Sequence, residues 1–334
     1  MNTATSGDLA QAYFLRTRNA GLKQTIQYYT DQLATGQVSD LRGTVAGNYS
    51  FLTDVERKTT LLSGFKIATS EATQFTSAMQ LALEHFADLS SNLSDTLLTA
   101  GGSAAATSTT DVAAQAHAVL DAMLGVLNTD VAGRHLFAGN ATDQRPMRDS
   151  ATLLADLTAA VSGAASPDDV MALATAWFDD PAGFETSMYT GGGAALSAFA
   201  LSSRENLSID VRANERGLKQ ALRNAAVAAL ANSPAFGFDV TTQGNLFALT
   251  GQDLLTGQKG IIDLQSRVGF SEANIDAVVT RNEAELTSLT LAKTALLEAD
   301  PFDAATKLEE AQFQLQSLYS VTVRMSQLSL VNYL

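Results

Sequence analysis

The sequence contains no cysteine, which excludes a disulfide framework, thiol catalysis and cysteine-rich zinc sites. Proline is scarce. There are five in 334 residues and none before Pro146, so nothing interrupts long helices in the N-terminal part. Only three histidines occur, His85, His117 and His135, and none stands at His-x-x-x-His spacing. No metal and no cofactor is expected on that basis. Lys and Arg number 21 against 35 Asp and Glu, a formal net charge of −14. A chain this acidic is repelled by phosphate backbones, so nucleic acid is not an expected partner. Long apolar runs are missing as well, and no membrane contact is expected. The opening residues lack a basic stretch followed by an apolar one, so no cleavable secretory signal is expected.

What is present is helical periodicity. Residues are 46% hydrophobic and 17% charged, enough to bury a core. A first helix is predicted over 8–35, with Leu9, Tyr13, Ile26, Tyr29 and Leu33 on its apolar face and Gly36 as its stop. The segment 37–48 reads as a loop. Over 51–99, Leu61, Phe65, Ala68, Ala72, Phe75, Met79, Ala82, Phe86, Leu89 and Leu93 follow an unbroken 4-3 spacing, the pattern of a coiled-coil seam; the alternative is an amphipathic helix packed in an ordinary bundle. A Gly/Ala/Ser/Thr-rich loop over 100–110 precedes a third helix, capped by Asp111 and ending near Gly133, with Val112, Ala116, Val119, Met123 and Val126 on one face.

The middle of the chain differs. Between 140 and 238 lie four of the five prolines and the run Gly191-Gly192-Gly193. Short helices are predicted at 156–164 and 168–178, and strands at 198–203 and 207–211, turning at Arg204-Glu205-Asn206. Helices return at 246–267 and 271–298, the second capped by Ser271 and carrying Val279, Leu286, Leu289, Ala292 and Leu296 inward. Asp300-Pro301 starts the last helix, with Leu308, Ala311, Leu315, Leu318, Met325 and Leu328 on one face.

Long helices that cannot bury their stripes locally need partners. The predicted fold is therefore mainly α: long antiparallel helices in a coiled-coil bundle formed by the N- and C-terminal segments, with a small α+β central insertion. The domains expected are a terminal helical domain (1–40 plus 300–334), a helical bundle (41–139 plus 239–299) and the insertion (140–238). The apolar C-terminal tip is costly in water, so an assembly interface is predicted at Leu315, Leu318, Met325, Leu328, Leu330, Val331 and Leu334.

No catalytic residues are assigned. The acid pairs Asp168-Asp169, Asp179-Asp180 and Glu309-Glu310 read as solvated helix positions, because adjacent residues on a helix point to different faces. The segment 251–260 lacks phosphate-loop spacing, and no Gly-x-Ser-x-Gly elbow occurs.

Three segments carry a family resemblance. Asp31-Gln32-Leu33-Ala34-Thr35-Gly36 is similar to the motif that closes the first flagellin-type helix. Gly133-Arg134-His135-Leu136-Phe137-Ala138-Gly139 is similar to a Gly-Arg-Tyr-Leu-Phe-Ala-Gly signature. The ending Ser326-Gln327-Leu328-Ser329-Leu330-Val331-Asn332-Tyr333-Leu334 is similar to a junction-type terminal helix. The chain thus resembles the flagellin superfamily and, within it, the filament-side hook–filament junction proteins, over both helical blocks but not the middle. The resemblance implies a secreted, non-enzymatic structural subunit of the extracellular bacterial flagellum. It also implies type III export, a cytoplasmic export chaperone that holds the C-terminal helix, and end helices that order on assembly. Its partners would be the hook-side junction protein, flagellin and copies of itself in a ring. Two alternatives remain at this point: flagellin itself, and a secreted enzyme carried on the central insertion.

Overall fold

A computed structural model describes the backbone of residues 3–38, 49–102 and 108–331, and the side chains of 10–38, 49–102 and 108–325. The chain is mainly helical. Helix α1 spans Thr3–Thr35, α2 Tyr49–Gly102 and α3 Thr109–Leu127. A hairpin of β1 (Asp130–Val131) and β2 (Arg134–His135) follows. Helices α4 (Ser150–Ala160) and α5 (Pro167–Asp179) lead to a second antiparallel pair, β3 (Phe199–Ala200) and β4 (Asn206–Leu207). Then come α6 (Arg216–Ala229), α7 (Val240–Leu297) and α8 (Pro301–Val331). Two compact units result: Met1–Leu61 with Ala284–Leu334, and Leu62–Glu283. Helices α2 and α7 contribute to both.

The Leu62–Glu283 unit holds the large core. Here α2 and α7 run antiparallel: Ser94 donates to the Gly251 carbonyl at 2.8 Å, Ser77 to Glu272 at 3.1 Å, and Lys66 faces Glu283 at 4.0 Å. The predicted seam on α2 is largely buried at Ala72, Phe75, Met79, Ala82, Phe86 and Leu93. A second row, Leu62, Thr69, Thr76, Leu83, Ser90 and Leu97, is buried beside it at seven-residue spacing. Threonine and serine hid that row from hydropathy. Thr69 and Thr76 satisfy their hydroxyls on their own helix, bonding the carbonyls of Lys66 and Ala72 at 3.1 Å each. This further row broadens the buried face of α2 beyond the two rows of the seam.

Helix α3 buries Val112, Ala116, Met123 and Val126 as expected. Its cap, however, is Ser108, whose hydroxyl accepts from the Asp111 amide at 3.4 Å; Asp111 stands in the first turn. The helix also stops at Leu127 rather than near Gly133. Asn128 offers better partners there: its amide donates to the Met147 carbonyl at 3.0 Å and its Oδ1 accepts from Met147 N at 2.9 Å. Residues 130–135 turn back as the hairpin. Other boundaries move for similar reasons. Asp149 caps α4 by accepting from Thr152 N at 2.9 Å, which starts that helix at Ser150 rather than at residue 156. The predicted strands shrink to two residues each, though the turn lies where expected.

Two larger differences concern helices. The predicted break at Ser271 does not exist: α7 is continuous, and the Ser271 hydroxyl donates back to the Arg267 carbonyl at 3.1 Å instead of capping. Helix α6 was not anticipated. It packs on α3 and crosses α7 at Gly217 and Gly260. A Cβ on Gly217 would sit 2.6 Å from the Gly260 carbonyl carbon, and one on Gly260 2.8 Å from the Gly217 Cα. Only glycine allows backbones this close.

In the unit of Met1–Leu61 and Ala284–Leu334, α1 and α8 pack together. Helix α1 ends at Thr35, as predicted; Gly36 takes φ +66°, and its amide donates to the Gln32 carbonyl at 2.8 Å. The chain beyond it pairs with the α7–α8 connector. Val38 N donates to the Leu297 carbonyl at 2.9 Å, and Ala299 N to the Gly36 carbonyl at 3.0 Å. Asp300 caps α8 as predicted, accepting from Phe302 N at 2.9 Å and Asp303 N at 3.3 Å. The remainder of the predicted 37–48 loop lies outside the described residues.

Candidate assembly interface

The face of α8 that meets α1 follows the 4-3 pattern. Ala304 and Ala311 are buried, and Leu308, Leu315, Leu318 and Met325 are half-buried. Opposite them, α1 buries Leu22 and Gln32 and half-buries Leu15, Asn19, Ile26 and Tyr29. The order is antiparallel. Lys307 Nζ lies 5.9 Å from the centre of the Tyr29 ring, Asn19 bonds Tyr319, and Gln11 Nε2 lies 3.8 Å from Met325 Sδ. The α1 face differs from the expected one: Ile26 and Tyr29 face inward, but Tyr13 is 74% exposed and Leu33 is exposed too. Asn19 and Gln32 take inward positions that hydropathy would not assign. Leu9's side chain lies outside the described residues.

This seam is thin, and the apolar surface left outside it is large. Phe302 is 84% exposed, Phe313 69% and Phe14 63%, joined by Tyr319, Val321 and Val323. Exposed aromatic side chains of this size on one two-helix pair exceed what a finished soluble monomer carries. Two grooves flank the pair. One, of about 430 Å³, is lined by Ala12, Leu15, Arg16, Asn19, Lys23 and Leu318 among others. The second, of about 450 Å³, runs past Phe14, Arg18, Leu22 and Gln314. Both have apolar floors and cationic rims, with no carboxylate in either lining.

Of the seven interface residues predicted, Leu315, Leu318 and Met325 line the half-buried α1–α8 seam, and Leu318 also borders the first groove. The side chains of Leu328, Leu330 and Val331, and all of Leu334, lie outside the described residues. Sequence reading missed Phe302 and Phe313, although their spacing of three helical turns put them on one face. Electrostatics along the pair is mild. The Asn19 hydrogen bond, with help from Lys23, holds the Tyr319 phenol below its usual range. The Asp303 carboxylate, 2.6 Å away, raises the Lys307 ammonium.

Elsewhere the polar groups serve the fold. Ser166 and Asp169 form a reciprocal cap on α5: Ser166 Oγ accepts from Asp169 N at 3.2 Å, and Asp169 Oδ2 accepts from Ser166 Oγ at 2.8 Å. Asp180 Oδ1 accepts from Ala182 N at 2.9 Å. His135 Nδ1 lies 2.8 Å from the Asn128 carbonyl, while His85 and His117 are exposed. Burial pushes the Tyr189 phenol up to about 12. Among the described residues, no three His, Asp or Glu side chains converge as a metal site, and no helix is long and apolar enough to cross a membrane.

Residues 256–334 match the bacterial flagellin C-terminal helical region. The C-terminal segment is thus similar to that of flagellins. It comprises the later part of α7 and the whole of α8, the helix that forms the seam with α1. The fold is shared more widely. A structure described as a flagellar hook-associated protein from Vibrio parahaemolyticus matches 77% of this chain and 98% of its own, with a TM-score of 0.51 at 11% identity. The FlgL crystal structure from Xanthomonas campestris matches 72% and 99%, with a TM-score of 0.51 at 10% identity. At such identities the likeness is one of fold. No curated protein sequence matches the chain.

Proposed function

We propose that this chain is a non-enzymatic structural subunit of the bacterial flagellum that polymerises through its terminal helices and forms the junction between hook and filament. The observation that carries the proposal is the exposed aromatic surface of the α1–α8 pair, headed by Phe302, Tyr13 and Phe313. The segment similar to the flagellin C-terminal region supplies α8 of that pair. Burial of such surface between subunits contributes roughly 25 cal/mol per Å², and neighbours are the natural source of that burial. Its partners are the hook-side junction protein, flagellin, copies of itself and an export chaperone that shields the C-terminal helix. Its place is the extracellular flagellum. The chain divides into a terminal helical domain (1–40 plus 300–334), a bundle (41–139 plus 239–299) and a 140–238 insertion that shares its core with the bundle, α6 packing on α3.

The flagellin C-terminal match also suits a bulk filament subunit, and gene deletion separates the two readings. Loss of a junction subunit leaves flagellin unassembled in the medium, whereas loss of flagellin leaves a bare hook. Labelled antibody should mark a thin band at the end of the hook. Label along the whole filament would overturn the junction assignment, and flagella that still assemble in full without the protein would overturn the structural role.

A further inference from the structure

Helix α8 carries an outward ridge. Phe302, Glu309 and Phe313 are spaced by seven and four residues and share one helical face, opposite the Ala304–Ala311 face that packs on α1. All three are exposed. Among the described residues, Glu309 has no ion-pair partner. The ridge is therefore an apolar pair with a carboxylate between its members. The groove of about 430 Å³ beside α1 has the converse character. Ala12, Leu15, Ala20 and Leu318 give it an apolar floor with small residues, Arg16 and Lys23 supply two cations one heptad apart, and no carboxylate lines it. Because the ridge points away from its own α1, it cannot reach its own groove.

We infer that the ridge Phe302–Glu309–Phe313 of one copy docks into the Arg16–Lys23 groove of a second copy. The inference rests on the assembly reading above and adds the partner face and its register. The phenylalanines fill the apolar floor while Glu309 meets the two cations. Charge complementarity selects the occupant: a chain of net charge −14 presents few cationic surfaces, and this groove is one that an acidic ridge matches. The contact is heterologous, since ridge and groove are different surfaces. It therefore propagates from copy to copy into a ring or helix instead of closing as a dimer.

The absence of cysteine makes the test direct. Full-length Arg16→Cys and Glu309→Cys variants, mixed under oxidation, should form a disulfide-linked pair, while neither variant alone should. In sedimentation of the concentrated full-length chain, Phe302→Ala with Phe313→Ala should weaken association on the order of tenfold. Glu309→Arg should weaken it by a similar factor, and Arg16→Glu with Lys23→Glu in the same chain should restore it to within about threefold. Wild-type association that persists in the ridge variants, with the mixed cysteine variants unlinked, overturns this contact and leaves the assembly reading intact. A wild-type chain that stays monomeric at every concentration and on added flagellar filament ends overturns both.

Discussion

Replacing Asp253 should be among the most damaging single changes in the Leu62–Glu283 unit. Asp253 sits on α7 and accepts from three side chains of α6: Arg223 Nη2, Asn224 Nδ2 at 2.7 Å and Gln220 Nε2 at 3.2 Å. The Arg223 and Asp253 side chains are 11% and 30% exposed. Arg223 Nε and Asn224 Oδ1 already lack partners, so the network has no slack. Asp253→Ala strands a mostly buried guanidinium and an amide. Removing one partner of a buried ion pair costs about 3–5 kcal/mol, and the residual solvent contact argues for the lower end, about 3 kcal/mol. Asp253→Asn keeps the shape and one acceptor and should cost roughly half as much. Asp253→Ala combined with Arg223→Met removes the orphaned charge and should recover part of the loss. The assay is urea unfolding followed by the fluorescence of Trp177, the only tryptophan. Its ring lies 5.1 Å from that of Phe178, whose carbonyl accepts from Lys219 on α6 at 3.2 Å. With a slope of about 2 kcal/mol per M, 3 kcal/mol lowers the midpoint by about 1.5 M. A shift below about 0.3 M, or identical midpoints for the Ala and Asn variants, would refute the reasoning.

Gly217→Val should destabilise the same unit by about 1–3 kcal/mol, read as a lowered melting temperature, because its Cβ would lie 2.6 Å from the Gly260 backbone, which cannot yield. Gly269→Ala, in the middle of α7 with open space around it, should instead stabilise by about 0.5–1 kcal/mol. Asp239 accepts from Thr242 N at 2.8 Å at the start of α7, and hydrogen bonds from Thr242 hold its carboxyl below the ordinary value of 3.8. A depressed folded-state pKa stabilises above the unfolded value and is lost as pH falls through the folded one. Asp239→Asn should therefore flatten the stability profile only from about pH 4 downward; an effect centred near neutrality would contradict this. Phe313→Ala, at an exposed position, should leave the unfolding free energy of the monomer within about 0.5 kcal/mol of wild type while reducing assembly.

The α1–α8 seam is partly legible in the sequence. The α8 face through Leu308, Ala311, Leu315 and Leu318 was read correctly because each residue is apolar and the spacing regular. The matching α1 face was read correctly only at Ile26 and Tyr29. Two of its inward positions are Asn19 and Gln32, while Tyr13, which looks like a core residue by type, faces solvent. Helix α6 was legible, because buried Leu218, Ala221, Leu222 and Ala225 recur at helical spacing against the polar Arg216, Lys219, Gln220 and Arg223; nothing physical hid it. On α2, the buried row of Thr69, Thr76 and Ser90 was invisible to a search for apolar residues; the hydroxyls of Thr69 and Thr76 bond back to their own helix and so pack as small apolar groups.

Local chemistry settled the existence of the long helices, the stop at Gly36 and the start at Asp300-Pro301. These depend on residues close together in the chain, through caps, proline placement and apolar period. Tertiary structure decided whether α7 breaks at Ser271, which serine or asparagine ends α3, and which apolar side chains remain uncovered. Those outcomes depend on what another segment offers. Ser271 can bond back within a helix that packing holds together, Asn128 finds its partners at Met147, and Phe302 stays in water because α1 covers only the opposite face of α8.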